Sequence, residues 1–292
     1  MTKRIKSKKT TEQHRAEAQA LQESIASQVE NLRNSEQWQR YLDFARSFHA
    51  YSVNNVLLIL SQCPHATMVA GFRQWQAKNR QVRKGEKALK IFGFAQRKVD
   101  ADEQTQDAEE PQKVTYFPKL SVFDISQTDI IDPTIEDASS PAQRLTGDDE
   151  LGICEAVAQW LRAQGWAFSR QSIPGETNGY TTMDGSRRVV VEERLSEAQT
   201  AKTALHEAAH VILHSDDAPG EYVEHRGLKE TEAESVAYVV AGLLGLDTTG
   251  YSIGYVAGWS AGDAELIKST AGRVLRASHI LIEALTESGP QE

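Results

Sequence analysis

Apolar residues recur at helical spacing along much of this chain, and short runs of β-branched residues lie between the helical stretches. Residues 11–34 and 35–48 favour two helices, and the apolar stretch Tyr51–Leu60 favours a third that is largely buried. Strand-like runs follow at residues 88–94 and 114–122. Because helices precede a run of strands, the pattern predicts an α+β first half.

The second half has a different pattern, in which a strand leads into two long helices. Arg188–Val191 is a short β-branched run, and residues 196–214 contain no Gly or Pro. Ser196 followed by Gln199 favours a capping box at the start of the first long helix. A second amphipathic helix is predicted by the apolar spacing of Val236, Val239, Val240, Leu243 and Leu244. Two closing helices are predicted between residues 251 and 287.

Chain length and composition define the predicted domains. With 292 residues the chain is long enough for two domains that each bury a core. Residues 131–149 contain two prolines among serines and acids and predict a linker between domains at 1–130 and 150–292. Residues 100–112 are acidic and polar and predict a disordered loop in the first domain. The predicted fold class is α+β, with a mainly helical second domain that contains a small sheet.

The charge distribution indicates a nucleic-acid partner, although the net charge of −9 alone argues against one. Residues 73–98 contain nine Lys or Arg and a single acid, Glu86, with aromatic and amide side chains between them. Cations that neutralise phosphates beside a ring that stacks on bases are typical of single-stranded nucleic-acid binding. The alternative is a solvated, charged β-hairpin with Trp75 in the core. We call residues 73–98 the basic hairpin, and its candidate nucleic-acid contacts are Arg73, Trp75, Lys78, Arg80, Arg83, Lys84 and Lys87.

Other features narrow the class of protein. Cys63 and Cys154 form no metal-binding or redox motif and are expected to be buried reduced thiols of a cytoplasmic protein. A basic arm at residues 3–9 is unlike a signal peptide and would add a salt-sensitive nucleic-acid contact. The longest apolar run, Val236–Leu246, is too short to cross a bilayer, so no membrane partner is expected.

The clearest chemistry lies in the sequence HEAAH, inside the helix predicted at residues 196–214. His206 and His210 are four residues apart, so both imidazoles lie on the same side of a helix and can bind one zinc ion. Glu207, beside the first histidine, is then able to take a proton from the attacking water. The alternative is a helix that carries two surface histidines beside a solvated glutamate.

A catalytic zinc site needs a third protein ligand and one open position. Glu230 and Glu234 share one face of the second long helix, so the first would bind the metal and the second would hydrogen-bond a ligating histidine. Helical phase does not exclude Glu232, and Asp216 is a further carboxylate near the first long helix. For each glutamate the alternative is a solvated, acidic helix start that interacts favourably with the helix dipole.

These motifs resemble the ImmA/IrrE-type metallopeptidases. HEAAHVILH at residues 206–214 and ETEAESVA at residues 230–237 match the HExxH motif and the second-helix pattern of that family. The resemblance implies a zinc peptidase whose third ligand is a glutamate. It also implies that Glu230 is this ligand and that Glu234 holds one of the ligating histidines.

A second resemblance covers the first half of the chain. Four segments are similar, in this order, to motifs of the ArdC-type plasmid antirestriction proteins: residues 51–59, 69–75, 81–87 and 122–128. Those proteins join an N-terminal single-stranded-DNA-binding domain to a C-terminal zincin-like domain, which is the order expected here. The resemblance implies DNA contacts from the basic hairpin and from the region of Tyr51 and Asn55.

The combined expectation is a cytoplasmic, single-stranded-DNA-binding zinc metallopeptidase that protects incoming plasmid DNA from restriction during conjugation. The metal is Zn²⁺ or another divalent ion such as Mn²⁺, and the pattern defines neither the protein substrate nor the oligomeric state. Three alternatives stay open: a regulatory metalloprotease that cleaves a repressor, a DNA-masking protein with a structural zinc site, and an RNA-binding protein. The candidates for stabilising an oxyanion are His214, Tyr222, His225 and Tyr238.

Overall fold

The computed structural model describes residues 11–98, 113–133, 152–175, 177–217, 225–246 and 263–286. Several predicted features lie wholly or mostly outside these residues: the basic arm, the acidic loop, the linker, the first closing helix and Tyr222. The described residues combine helices with small sheets, and the predicted α+β class is confirmed. No helix among the described residues is long and apolar enough to cross a membrane.

The elements follow the predicted order of helices, strands and then a strand–helix region. The chain begins with α1 (Thr11–Asn31), α2 (Ser35–Phe48), α3 (Val53–Gln62) and β1 (Val69–Ala70). Next come α4 (Phe72–Ala77), β2 (Arg80–Val82), β3 (Leu89–Phe92), β4 (Ala95–Lys98), β5 (Lys113–Tyr116), β6 (Lys119–Asp124) and β7 (Thr128–Ile130). The last part contains α5 (Ile153–Ala163), β8 (Ala167–Gln171), β9 (Gly179–Thr181), β10 (Arg188–Glu192), α6 (Glu197–His214), α7 (Arg226–Leu243) and α8 (Ala264–Thr286).

Packing divides the described chain into two compact units. The first unit contains the described residues of Met1–Ser27 and Leu57–Ser140, and the second contains those of Gln28–Val56 and Pro141–Glu292. Helix α2 therefore packs with the C-terminal helices. The domain boundaries at residues 130 and 150 stay a prediction, because the units are defined by packing alone.

Two buried aromatic residues anchor α2 within the second unit. Trp38 donates from Nε1 to Ser235 Oγ on α7 at 3.1 Å. The hydroxyl of Tyr41 donates to the carbonyl of Ala271 on α8 at 3.1 Å. Both rings are fully buried, and their polar atoms are satisfied, as burial of a Trp or Tyr requires.

In the first unit the central sheet has the order β1-β6-β3 and is antiparallel. The predicted basic hairpin is wrong, because β2 pairs with β7 and β3 pairs with β6. The same part of the chain also contains α4, whose Trp75 is fully buried and donates from Nε1 to the carbonyl of Phe123 at 2.8 Å. The basic side chains of residues 73–98, called the basic segment below, are therefore carried by a helix, strands and turns.

In the second unit a three-stranded sheet leads into the candidate site. Its order is β8-β10-β9, with β10 parallel to β8 and antiparallel to β9. The central strand buries Val189, Val190 and Val191 almost completely, as expected where both faces of a strand are covered. The edge strand β9 packs against α6, the helix that carries the HEAAH motif.

Helices α6 and α7 pack against each other. Helix α6 begins where Ser196 Oγ accepts a hydrogen bond from the N–H of Gln199 at 3.3 Å, which is one half of the predicted capping box. Both helices bury alanines, among them Ala208 on α6 and Ala233 on α7. Small side chains permit a close approach of two helices, and this approach brings their polar residues into one site.

Candidate metal centre

Helices α6 and α7 bring three potential metal ligands together. His206 Nε2 lies 3.1 Å from His210 Nε2. Glu230 Oε2 lies 3.4 Å from His206 Nε2 and 3.9 Å from His210 Nε2. Within the part of the chain that the structure describes, no other group of three His, Cys, Asp or Glu side chains converges in this way. The structure thus assembles the three residues that the sequence predicts as ligands.

The separations of these atoms suit a tetrahedral metal ion. Zinc binds imidazole nitrogen and carboxylate oxygen at about 2.0–2.2 Å, so the ligand atoms of a tetrahedral site are roughly 3.3–3.6 Å apart. The observed separations of 3.1, 3.4 and 3.9 Å bracket this range. Two imidazoles and one carboxylate are typical of catalytic zinc sites, in which the fourth position is open.

The predicted supporting carboxylate lies directly behind one of the histidines. Glu234 Oε2 is 3.0 Å from His206 Nδ1, and Lys202 Nζ is 3.0 Å from Glu234 Oε1. Such a carboxylate orients the imidazole so that its other nitrogen faces the metal position. Lys202 was not predicted, although its position four residues before His206 on α6 places it on the same helix face.

The two histidines differ in protonation when no metal is bound. Burial lowers the pKa of His206, but hydrogen bonds to Glu230 and Glu234 outweigh this effect and raise the pKa to about 10. Burial, together with the charge of His206, lowers the pKa of His210 to about 3. His210 is therefore already in the neutral form that binds metal at pH 7, whereas His206 must first release a proton.

Glu207 is buried on α6 and is held by the edge strand β9. The hydroxyl of Thr181 donates to Glu207 Oε2 at 2.8 Å. Gly179 leaves room for this carboxylate, because a Cβ there would lie 3.1 Å from Glu207 Oε1 and 2.6 Å from Thr203 Cγ2. Burial raises the pKa of Glu207 above its usual range, which suits a general base. Neither Thr181 nor Gly179 was predicted, because no local pattern links β9 to α6.

The other two carboxylates considered as third ligand lie elsewhere. Glu232 Oε2 is 3.0 Å from His214 Nε2, and Glu232 Oε1 accepts a hydrogen bond from Arg273 Nε at 2.7 Å. Asp216 is exposed beyond the end of α6 and belongs to no converging group among the described residues. Glu230 is therefore the carboxylate that the geometry favours.

Three of the four candidates for oxyanion stabilisation lie in the described part of the chain. His214 faces Nδ1 of His210, on the side away from the other ligands. The hydroxyl of Tyr238 donates to Asp43 Oδ1 at 2.6 Å and is thus engaged within the second unit. His225, at the N-cap of α7, is the exposed one of the three.

The predicted DNA-contacting residues are divided between the two units. Tyr51 and the buried Asn55 belong to the second unit, whereas the basic segment belongs to the first. Arg80 donates from Nε to Thr128 Oγ1 at 2.8 Å, and Arg83 forms an ion pair with Glu86 at 2.9 Å. Four exposed cations form no side-chain hydrogen bond or ion pair with another described residue: Arg73, Lys78, Lys84 and Lys87.

Trp75 is in the core, so its predicted role in stacking on bases is wrong for this structure. Its ring is 0% exposed, which matches the alternative prediction of a buried tryptophan. Exposed rings of the same unit lie elsewhere: Phe94 is 68% and Phe117 is 64% exposed, and their centroids are 6.2 Å apart. Phe94 follows Gly93, and Phe117 precedes Pro118. Gly and Pro favour turns, so these neighbours are the sequence signal that could have indicated exposed rings at both positions.

Two family models match the chain. The N-terminal domain of anti-restriction factor ArdC matches residues 15–123, and the IrrE N-terminal-like domain matches residues 167–249. An uncharacterized Bacillus anthracis protein, pXO2-81, is 28% identical in an alignment that covers 89% of this chain and 49% of that protein. The chain therefore spans about half the length of this curated relative.

Solved structures with a similar fold include the antirestriction ArdC protein from plasmid R388. Its metal-free structure has a TM-score of 0.51 and 22% identity, and the match covers 82% of this chain and 87% of that chain. Its Mn(II)-bound structure has a TM-score of 0.49 and 20% identity, and covers 86% of this chain and 99% of that chain. The first of these matches shows similarity of fold.

The fold and the site together define an α+β protein of two compact units, with a candidate metal centre on an HExxH helix and the helix that follows. The first half of the chain thus carries a domain that matches the N-terminal domain of anti-restriction factor ArdC, and the second half carries an IrrE-like domain of the peptidase M78 type. Both resemblances predicted from the sequence motifs are thereby confirmed.

Proposed function

We propose that this protein is a divalent-metal-dependent peptidase that also binds single-stranded DNA and acts in antirestriction. One observation carries the proposal: the ligand atoms of His206, His210 and Glu230 converge within 4.8 Å, with the carboxylate of Glu207 buried on the same helix as the histidines. A structural site is usually closed by four protein ligands, whereas three converge here among the described residues. This arrangement supports a catalytic site for Zn²⁺ or another divalent ion such as Mn²⁺.

A divalent ion held by these side chains would supply Lewis-acid activation of a water molecule and polarisation of the peptide carbonyl. Glu207 accepts the proton of the attacking water, and the hydroxyl of Thr181 holds its carboxylate for this task. The same carboxylate then donates the proton to the leaving amine. Burial raises the pKa of Glu207, which favours both transfers because a carboxylate with a pKa nearer neutrality gains and loses a proton more readily.

Binding of single-stranded DNA is supported by the family match of the first half and by the cations of the basic segment. The side chains of Arg73, Lys78, Lys84 and Lys87 are exposed and have no partner among the described residues. Cations without an internal partner are available to neutralise phosphates. The match to the N-terminal domain of anti-restriction factor ArdC supports the further proposal that the protein protects incoming plasmid DNA from restriction during conjugation, in the cytoplasm of the recipient.

Plasmid transfer into a restricting recipient tests the proposal, with wild type compared with Glu207→Gln at equal protein level. Gln keeps the shape of the side chain and removes its basicity. We expect unchanged metal content and DNA affinity, loss of peptide hydrolysis, and loss of protection. The matched control is Glu155→Gln, which alters an exposed carboxylate of the second unit that pairs with Arg162.

Each alternative function predicts a different result. Protection that survives Glu207→Gln would favour DNA masking with a structural metal site. Peptide hydrolysis without any protection by wild type would favour a regulatory metalloprotease with a specific protein target. Loss of metal from Glu207→Gln would contradict the role of Glu207 as a base.

A further inference from the structure

A buried chain of polar side chains runs away from the candidate metal centre, behind His210. His210 Nδ1 lies 3.0 Å from His214 Nδ1, and His214 Nε2 lies 3.0 Å from Glu232 Oε2. Glu232 Oε1 then accepts a hydrogen bond from Arg273 Nε at 2.7 Å. The chain joins α6, α7 and α8, and both His214 and Glu232 are at most 3% exposed.

The direction of the hydrogen bonds in this chain follows from its charged end. Arg273 has only donors, so Glu232 accepts from it and keeps a carboxylate oxygen for His214. A carboxylate only accepts, so His214 must carry a proton on Nε2 to donate to it. In the neutral imidazole of His214, the Nδ1 atom then carries a lone pair. It must accept a hydrogen bond from His210, which therefore carries its proton on Nδ1.

The consequence reaches the metal position. A neutral imidazole with its proton on Nδ1 has a lone pair on Nε2. The Nε2 atom of His210 is the one that faces His206 and Glu230. In the opposite direction His214 would direct a lone pair at the carboxylate of Glu232, with both groups buried, which is unfavourable. The favoured direction, in which His210 donates to His214 and His214 donates to Glu232, therefore leaves Nε2 of His210 able to bind a metal ion.

We propose that His214 and Glu232 are positioning residues that fix the tautomer of His210, an inference that rests on the proposed metal site. His206 has a shorter support, in which the carboxylate of Glu234 contacts Nδ1 directly and Lys202 contacts that carboxylate. His210 has the same kind of support with one additional imidazole, and Arg273 takes the place of Lys202. Glu232 thereby has a role in the metal site without being a ligand.

Glu232→Gln is the sharpest test, because the change is isosteric and reverses the polarity of the chain. The amide oxygen of the substituted side chain would accept from Arg273, so its NH₂ group would face His214. His214 would then accept at Nε2 and donate from Nδ1, and His210 would be driven to carry its proton on Nε2. Outer partners of this kind typically contribute 10- to 100-fold to metal affinity. We expect the Zn²⁺ affinity, measured in competition with a chromogenic chelator, to fall by roughly 10- to 100-fold.

Long-range ¹H–¹⁵N correlation spectra of the metal-free protein provide the second measurement, which needs no variant. In wild type the proton should be on Nδ1 of His210 and on Nε2 of His214, and in Glu232→Gln both should move to the other nitrogen. Glu155→Gln removes an exposed carboxylate of the same unit and should change neither the spectrum nor the affinity.

The outcomes separate this inference from the proposed function. If wild type binds Zn²⁺ and Glu232→Gln binds it equally tightly, the inference is overturned while the metal site stands. If wild type shows His210 protonated on Nε2, the inference is overturned whatever the affinity. If wild type fails to bind Zn²⁺ or Mn²⁺, the proposed function fails, and the tautomers still decide whether the chain orients His210.

Discussion

The hydroxyl of Thr181 on edge strand β9 donates a hydrogen bond to the carboxylate of Glu207 on α6, with 2.8 Å between Oγ1 and Oε2. The same hydroxyl oxygen lies 3.2 Å from the backbone carbonyl of Glu207. A buried carboxylate that accepts such a bond is held in one orientation, and its charged form is favoured. The bond therefore affects both the position and the basicity of the proposed base.

Thr181→Val should reduce peptide hydrolysis without releasing the metal. Val has the same shape but no hydroxyl, so the carboxylate of Glu207 loses a donor and its pKa rises further above the usual range. The base must be deprotonated to act, so the acidic limb of the pH–rate profile should move to higher pH. We expect kcat at neutral pH to fall by about tenfold, as a displaced catalytic group typically costs that much or more. Thr181→Ser keeps the donor and should behave like wild type, and an unshifted profile in the Val variant would contradict the role of the bond.

Metal binding should release about one proton per ion at pH 8 through His206. The pKa of His206 is about 10 without metal, so its imidazole is protonated at pH 8 and must lose that proton to bind. His210, with a pKa of about 3, is already neutral and contributes none. Affinity for Zn²⁺ should rise about tenfold per pH unit between pH 7 and 9 and level off above the pKa of His206. Calorimetry in buffers of different ionisation enthalpy measures the proton count, and a count near zero would contradict the raised pKa.

The site was largely visible in the sequence because its spacing is local. Residues four apart on a helix share a face whatever the tertiary structure, so His206 and His210 were predictable. Helical spacing alone did not decide between Glu230 and Glu232, because the choice depends on how α7 is rotated against α6. Only the resemblance to a known family implied Glu230. The same is true of Thr181, which reaches Glu207 from a strand 26 residues earlier in the chain.

Burial of aromatic rings and the division into units were the least predictable features. Trp75 lies among basic residues, and its position in the core depends on the packing of α4 against β6. Trp38 contacts Ser235, which is 197 residues further along the chain, and no pattern in residues 35–48 indicates this partner. A hydrophobic pattern identifies which face of a helix or strand is buried. Which other element that face packs against depends on the tertiary structure.

Trp38→Ala should destabilise the unit that contains the candidate metal centre. Trp38 is fully buried in the second unit, and removal of a buried Trp side chain typically costs about 3–5 kcal/mol. Trp38→Phe keeps most of the ring volume and removes the bond to Ser235, so its cost should be only about 1 kcal/mol. Chemical unfolding followed by the loss of bound Zn²⁺ measures both effects. An unchanged midpoint in Trp38→Ala would show that α2 does not stabilise this unit.

Cations of the basic segment should differ in their effect on DNA binding. Replacing Lys78, Lys84 and Lys87 together with Ala should weaken binding of a labelled oligothymidylate, because these side chains have no internal partner among the described residues. The slope of log affinity against log salt should fall by about 2, since each phosphate contact contributes roughly 0.7 for a single strand. Arg80→Ala should instead lower stability by about 1 kcal/mol, because its guanidinium bonds to Thr128. An unchanged slope in the triple variant would place the DNA surface elsewhere.

The exposed rings of Phe94 and Phe117 are the candidates for base stacking, now that Trp75 is known to be buried. Their centroids are 6.2 Å apart, and both faces of an exposed aromatic pair offer a surface to unpaired bases. Phe94→Leu combined with Phe117→Leu keeps apolar bulk and removes the aromatic faces. Because stacking contributes about 1–3 kcal/mol per base, affinity for oligothymidylate should fall at least about fivefold.

Tyr180→Leu is the matched control for this experiment, since it removes an exposed ring from the second unit. It should leave affinity unchanged if stacking occurs at Phe94 and Phe117. The salt slope of the double Leu variant should equal that of wild type, because no cation is removed. A double variant that binds as tightly as wild type would show that these rings serve another partner, such as a protein surface, as large exposed apolar groups often do.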